Sequence, residues 1–247
     1  MGTTIVNSGL GFIYWWLAAR LFPAAAVGLA SAIVSAMLLL GSVSMMGLGT
    51  WLIGELPQRR GSQPSLIATA LAAAGLAGCG AGILLAVTAP RLSLELSPLA
   101  VNLPVIGIFA LGTSLYAAGL VLDQAVIGLL RGSVQLWRNS LLAGVKLAAL
   151  LALGLSQLRQ GGMAIYATWV AGMATSLVAV AAFAAYRGVR VSTRELHWDL
   201  LLRVGRPALA HHALNLALQA PGEILPLIVT TVLSAALNAS FYVSWMV

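Results

Sequence analysis

From residue 21 to 54, and again from 65 to 88, the chain runs without one charged side chain. Such runs are longer than the apolar segments of soluble cores. A bilayer core about 30 Å thick, by contrast, needs about 20 consecutive apolar residues for each helix that crosses it. Similar stretches recur down the chain, separated by short loops that hold most of the basic residues. Hydrocarbon satisfies no backbone polar group, so only helices or closed barrels span it. A barrel would show short strands of alternating polarity, and none appears. The expected fold class is therefore all-α, a polytopic transmembrane helix bundle. Hydrophobic residues make up 60% of the chain, charged residues 8%, and the mean hydropathy is +0.98. The net charge of +7 does not point to nucleic acid, because the basic residues lie between spans rather than on one polar face. A single cysteine, Cys79, excludes both a disulfide within one chain and a cysteine-based metal site.

Taken in order, spans are expected over residues 3–22, 27–53, 65–88, 101–130, 140–157, 162–186 and about 207–233. The last apolar piece, 238–247, is about half of what a crossing needs, so the chain reads as truncated within an eighth span. The first span lacks a basic start and is too long and polar for a cleavable signal, so it is retained. Residues 1–188 form a six-span lobe, and 206–247 begin a second lobe. The linker over 189–205 holds an interfacial helix, with Ser192 and Glu195 as a capping box. Gly78 and Gly82, spaced as GxxxG, are expected to form a packing face; no strand precedes the GxGxG run at 78–82, so it is no nucleotide loop. With the amino terminus cytoplasmic, Arg59, Arg60, Arg131, Arg138, Arg187, Arg190, Arg194, Arg203 and Arg206 lie inside. Arg20, Arg91 and Arg159 lie outside, which satisfies the positive-inside rule. Trp51, Trp137, Tyr186 and Trp198 then mark the inner interface, and Tyr166 and Trp169 the outer one.

The central hairpin over 120–150 is expected to turn near Val134 and Gln135. That places Asp123 and Lys146 at similar depth, as a candidate intramembrane ion pair. An isolated Asp or Lys at mid-span costs about 2.5–3.5 kcal/mol on translocon-based scales, so each calls for a partner or a function. Pairing reads either as a structural latch or as a substrate or proton site. In the seventh span Pro221 and Pro226 flank Gly222 and Glu223, and the helix is expected to bend or break there. Glu223, His211 and His212 are candidates for transport or proton exchange; the two histidines lie about 100° apart on a helix, so at most one faces a given site. No HExxH motif, nucleophile elbow or paired carboxylate occurs, and no catalytic, cofactor or metal residues are expected.

Residues 22–31 and 233–242 each close one span and open the next through small residues, at an offset of 211. A six-span unit repeated about an axis along the membrane normal would give that spacing. Asn7 and Gly9, Ala-Ala-Arg-Leu-Phe-Pro at 18–23, Gly47-Leu-Gly49, Leu122-Asp-Gln-Ala-Val-Ile-Gly at 122–128, Gln135-Leu-Trp-Arg-Asn139, Lys146-Leu147 and Asn238-Ala-Ser-Phe-Tyr242 together resemble the bacterial oligosaccharide flippases of polysaccharide biosynthesis. Their superfamily includes the multidrug and toxic-compound exporters and the lipid II flippase.

The resemblance implies two six-helix lobes around a cavity and transport without hydrolysis. It also implies a multi-pass inner-membrane location and a polyprenyl-pyrophosphate-linked oligosaccharide as cargo. Asn7, Asn215 and Gln219, on the spans that line that cavity, become candidates for hydrogen bonds to sugar. Polysaccharide polymerase, glycosyltransferases and membrane lipids become the expected partners. Two alternatives remain: a cation-coupled small-molecule exporter of the same fold, and a non-transporting membrane scaffold for glycosyltransferases.

Overall fold

Pro23, Gly47, Asn102 and Gly161 set where helices begin: each flanks a helix start with backbone outside the helical region. The computed structural model describes residues 2–59, 61–156, 161–189, 198 and 204–245, with side chains from residue 9 onward. Among these the helices are α1 (Gly2–Leu21), α2 (Ala24–Ser44), α3 (Leu48–Glu55), α4 (Gln63–Leu92), α5 (Leu103–Gly128), α6 (Gly132–Leu155), α7 (Gly162–Tyr186), α8 (Arg206–Val232) and α9 (Ala235–Trp245). Tighter 3-10 turns lie at Leu56–Gln58 and Leu94–Ala100. No strand occurs among the described residues, so the architecture is all-α.

Six helices, α2 and α4 to α8, are long and apolar enough to cross a membrane. α1 is 20 residues long but is not one of these six. The interfacial helix expected over 189–205 lies almost wholly outside the described residues.

Two expectations about continuity are corrected. The second span divides into α2 and α3, because Met46 and Gly47 take left-handed backbone with φ 47 and 75 and end the α2 ladder. α8, in contrast, is not broken: it runs as one helix through Pro221 and Pro226, which overturns the expected break and leaves the expected bend untouched. Each proline deletes one hydrogen bond, and the helical bonds on either side carry the helix past the gap.

In lipid the hydrophobic effect does not draw helices together, so close packing of small residues does much of that work. α4 lies along α5 through Gly75, Gly78 and Gly82; a Cβ at Gly78 would stand 2.9 Å from the Thr113 carbonyl oxygen, and one at Gly82 2.8 Å from the Ala110 Cα. The expected packing face is present, although Gly80 faces open space. α9 docks on α2 more closely still, since a Cβ at Gly28 would collide with the Ala235 carbonyl. Asn238, fully buried there, donates from Nδ2 to the Gly28 oxygen at 3.0 Å and to Ser31 Oγ at 2.8 Å. α2 and α9 start at Ala24 and Ala235, 211 residues apart, the offset read from the sequence. One core cluster forms around Tyr14, Trp15, Ile33, Met37, Phe109 and Tyr166; a second joins α3 to the facing ends of α4 and α5 through Leu52, Leu56, Leu66 and Val121.

Candidate functional site

The site begins with the turn between α5 and α6. Leu130 adopts φ 56, the Leu130 N–H reaches the Ile127 oxygen at 2.8 Å, and the Arg131 N–H reaches the Val126 oxygen at 2.9 Å. These two bonds close a helix end of Schellman type, with leucine where glycine is usual. The turn therefore lies at 129–131, earlier than the sequence suggests. Asp123 stands five residues before Gly128, about 8 Å along its helix, whereas Lys146 is fourteen residues after Gly132, about 21 Å along its own. They do not share a depth, and the described structure contains no ion pair between them. The expected Asp123–Lys146 pair is thereby corrected.

At the depth of Asp123 stands Arg138, six residues into α6. Its Nε donates to Asp123 Oδ1 at 3.0 Å and its Nη2 to Oδ2 at 2.5 Å, a bidentate fork, and Nη2 also donates to Asn139 Oδ1 at 2.8 Å. The guanidinium lies against Gly119, where a Cβ would stand 3.1 Å from Nη1. A bare backbone at 119 is thus part of how the fork is seated. Arg138 is buried, so it is not the loop cation that the count of inside charges made it.

Lys146 is also buried, and it faces aromatic rings rather than an acid. Its Nζ lies 3.8 Å from the centre of the Trp169 ring and 5.1 Å from that of Tyr14. A desolvated cation–π contact contributes about 2 kcal/mol or more, which offsets much of the 2.5–3.5 kcal/mol insertion cost of a mid-span lysine without neutralising its charge. Tyr14 is fixed in turn by Thr168 at 2.7 Å, with ring contacts to Trp15 and Trp169. Tyr166 and Trp169 are therefore not an outer aromatic belt: Tyr166 is fully buried and donates to the Phe109 oxygen, and Trp169 lies under Lys146.

Arg138, Asp123, Asn139 and Lys146 line one cavity of about 340 Å³, together with Trp15, Tyr116, Trp169 and Tyr242. α1, α2, α5, α6, α7 and α9 all contribute walls. With Asp123 bound to Arg138, the Lys146 ammonium is left without a counter-ion among the described lining residues. The volume falls within the range of small-ligand sites, and aromatic walls with a few fixed polar groups are what such sites present. Among the described residues no group of three or more histidine, cysteine or carboxylate side chains converges as a metal site would.

All but one of the remaining candidates lie on α8, outside the cavity lining. His211 is exposed, and its Nδ1 is 3.1 Å from Asn215 Nδ2 and 3.3 Å from Thr50 Oγ1. Gln219 is exposed. His212 is buried, and neither ring nitrogen makes a hydrogen bond of ordinary geometry. Glu223 is half-buried, its Oε2 has no hydrogen-bond partner, and it lies within electrostatic range of the Tyr116 and Tyr242 hydroxyls. Asn7 belongs to α1, but its side chain lies outside the described residues.

Sequence reasoning missed Arg138 as a partner and Trp169 as a cation platform. The sequence signal for Arg138 was available: a hairpin turn at 129–131 sets residues 123 and 138 at matching depth. Set against protein-family models, curated proteins and solved structures, the chain matches none.

Proposed function

We propose that this chain is a membrane transporter that moves a polyprenyl-pyrophosphate-linked oligosaccharide across the bacterial inner membrane by alternating access, for cell-surface polysaccharide synthesis. The observation that carries this reading is the cavity, where an ammonium without a carboxylate partner stands among aromatic walls. A pyrophosphate group is an anion suited to such a cation, and sugar rings offer apolar faces to Trp15, Trp169 and Tyr242 and hydroxyls to Asn139. Arg138 serves to hold α5 to α6 through Asp123 and to keep its remaining N–H groups at the cavity surface. The prenyl tail stays in lipid while the polar head passes through the chamber.

In this reading residues 1–188 form a six-span lobe and α8 and α9 begin a second. The amino terminus is cytoplasmic, with Arg59, Arg131 and Arg187 on the same side. Glycosyltransferases supply the cargo and a polysaccharide polymerase consumes it. The aromatic lining also favours a second reading, a cation-coupled exporter of aromatic small molecules, and the two differ in whether the cargo needs the Lys146 ammonium.

Reconstitution in liposomes with a fluorescent lipid-linked oligosaccharide tests the proposal. Wild-type protein should move the head group across the bilayer, Lys146→Gln should lower the rate about thirty-fold for the loss of roughly 2 kcal/mol of charge-assisted hydrogen bonding to the pyrophosphate, and Lys146→Arg should retain most of it. Equal rates in wild type and Lys146→Gln would remove the cavity from the mechanism. Efflux of an aromatic dye without movement of the head group would favour the exporter.

A further inference from the structure

A second cavity, of about 370 Å³, opens between the start of α6 and the end of α7, lined by Ser133, Val134, Trp137 and Phe183. The Trp137 and Phe183 rings lie 6.4 Å apart at 46°, and both side chains remain partly exposed. At that separation the rings touch as an aromatic pair, and with Ser133 and Val134 they form the apolar wall of a cleft between two helices. At its mouth the Arg187 guanidinium lies 5.3 Å over the Phe183 ring, and Arg131 precedes α6 two residues before Ser133. Neither arginine is paired with a carboxylate in the described structure. Beside them Leu130 holds a left-handed backbone that costs a leucine about 1–2 kcal/mol, yet its side chain is 93% exposed among the described residues.

We propose that this cleft binds one anionic glycerophospholipid from the leaflet that the Arg131–Arg187 end faces. An acyl chain lies along the Trp137–Phe183 ring pair, in the cavity beside Ser133 and Val134, the phosphate and headgroup anion engage Arg187 and Arg131, and Leu130 enters the acyl boundary. Charge complementarity selects the occupant: an apolar slot alone accepts any lipid chain, and two unpaired arginines at its mouth favour a phosphate whose charge no choline offsets. Interfacial tryptophan and arginine beside an apolar slot are the groups that hold lipid at this depth. The site is separate from the central cavity and does not depend on what that cavity carries.

Brominated lipids read occupancy through quenching of Trp137, isolated as the difference between wild-type protein and the Trp137→Phe variant. The full chain is placed in phosphatidylcholine bilayers containing a fixed minor fraction of either dibrominated phosphatidylglycerol or dibrominated phosphatidylcholine. Trp137 should associate with the anionic lipid more strongly, by about five-fold for each arginine, and unlabelled phosphatidylglycerol should restore its emission. In an Arg131→Gln/Arg187→Gln protein the two lipids should quench alike, while quenching by the zwitterionic lipid stays at its wild-type value and shows that the fold persists. Equal quenching by both lipids in wild-type protein overturns the proposal without recourse to any variant. So does undiminished selectivity in the double variant. Recovery of emission with polyprenyl monophosphate but not with phosphatidylglycerol would assign the cleft to a carrier lipid and overturn it as well.

Discussion

Arg138 grips Asp123 through two hydrogen bonds, at 3.0 and 2.5 Å, across the hairpin that joins α5 to α6. Both side chains are largely buried, at 6% and 15% exposure, so removing one partner leaves a charge where water scarcely reaches. Breaking one side of a buried pair typically costs 3–5 kcal/mol, whereas removing both is far milder. Asp123→Ala and Arg138→Ala should each lower the thermal midpoint in detergent strongly, and the double change should recover much of the loss. A double-mutant cycle measures the coupling, and simple additivity would dissolve the pair. Lys146→Ala combined with Asp123→Ala should show no comparable recovery.

The contact of α9 with α2 is backbone against backbone at Gly28. Gly28→Ala should therefore push the two helices apart and reduce both yield and thermal midpoint. Gly80→Ala, where an added methyl meets nothing within 4 Å, should leave both unchanged. Asn238→Ala removes two hydrogen bonds from a fully buried site and should cost about 1–3 kcal/mol. Urea or heat titrations that rank Gly80→Ala with Gly28→Ala would refute the close-contact account.

Topology is open to direct chemical reading. Leu130 and Leu94 are 93% and 85% exposed and lie in turns at opposite ends of α5. Single cysteines at these positions, in a Cys79→Ala background, should react with a membrane-impermeant maleimide from opposite sides. Position 130 should label only from the cytoplasm and position 94 only from outside; the reverse pattern inverts the proposed orientation.

Glu223 has an oxygen without a hydrogen-bond partner and lies near Tyr116 and Tyr242, which line the cavity. A half-buried carboxylate at membrane depth with an unmet acceptor is costly unless it takes up a proton or cation during the cycle. Glu223→Gln is expected to keep normal protein level and thermal midpoint and to lower transport at least ten-fold. Wild-type transport across the usable pH range would leave Glu223 without a role in coupling. His212, on the same helix and without a hydrogen bond of ordinary geometry, serves as the comparison through His212→Phe.

The sequence by itself determined the class and most helix positions. Uncharged runs longer than a bilayer is thick leave helices as the economical solution, and expected spans such as 65–88 and 162–186 coincide closely with α4 and α7. It also marked the glycine face of α4, because close approach is written in residue size. The tertiary structure decided which groups meet. A hairpin turn moved by a few residues shifts depth by several ångströms, enough to exchange Lys146 for Arg138 as the partner of Asp123, and it follows from Leu130 adopting a conformation that leucine seldom takes. The placement of Lys146 over Trp169 is likewise invisible in spacing, since it depends on how α6 rotates against α7. Periodicity fixes which residues share a helix, whereas contact between helices depends on their relative rotation and axial shift, which packing over the whole bundle sets.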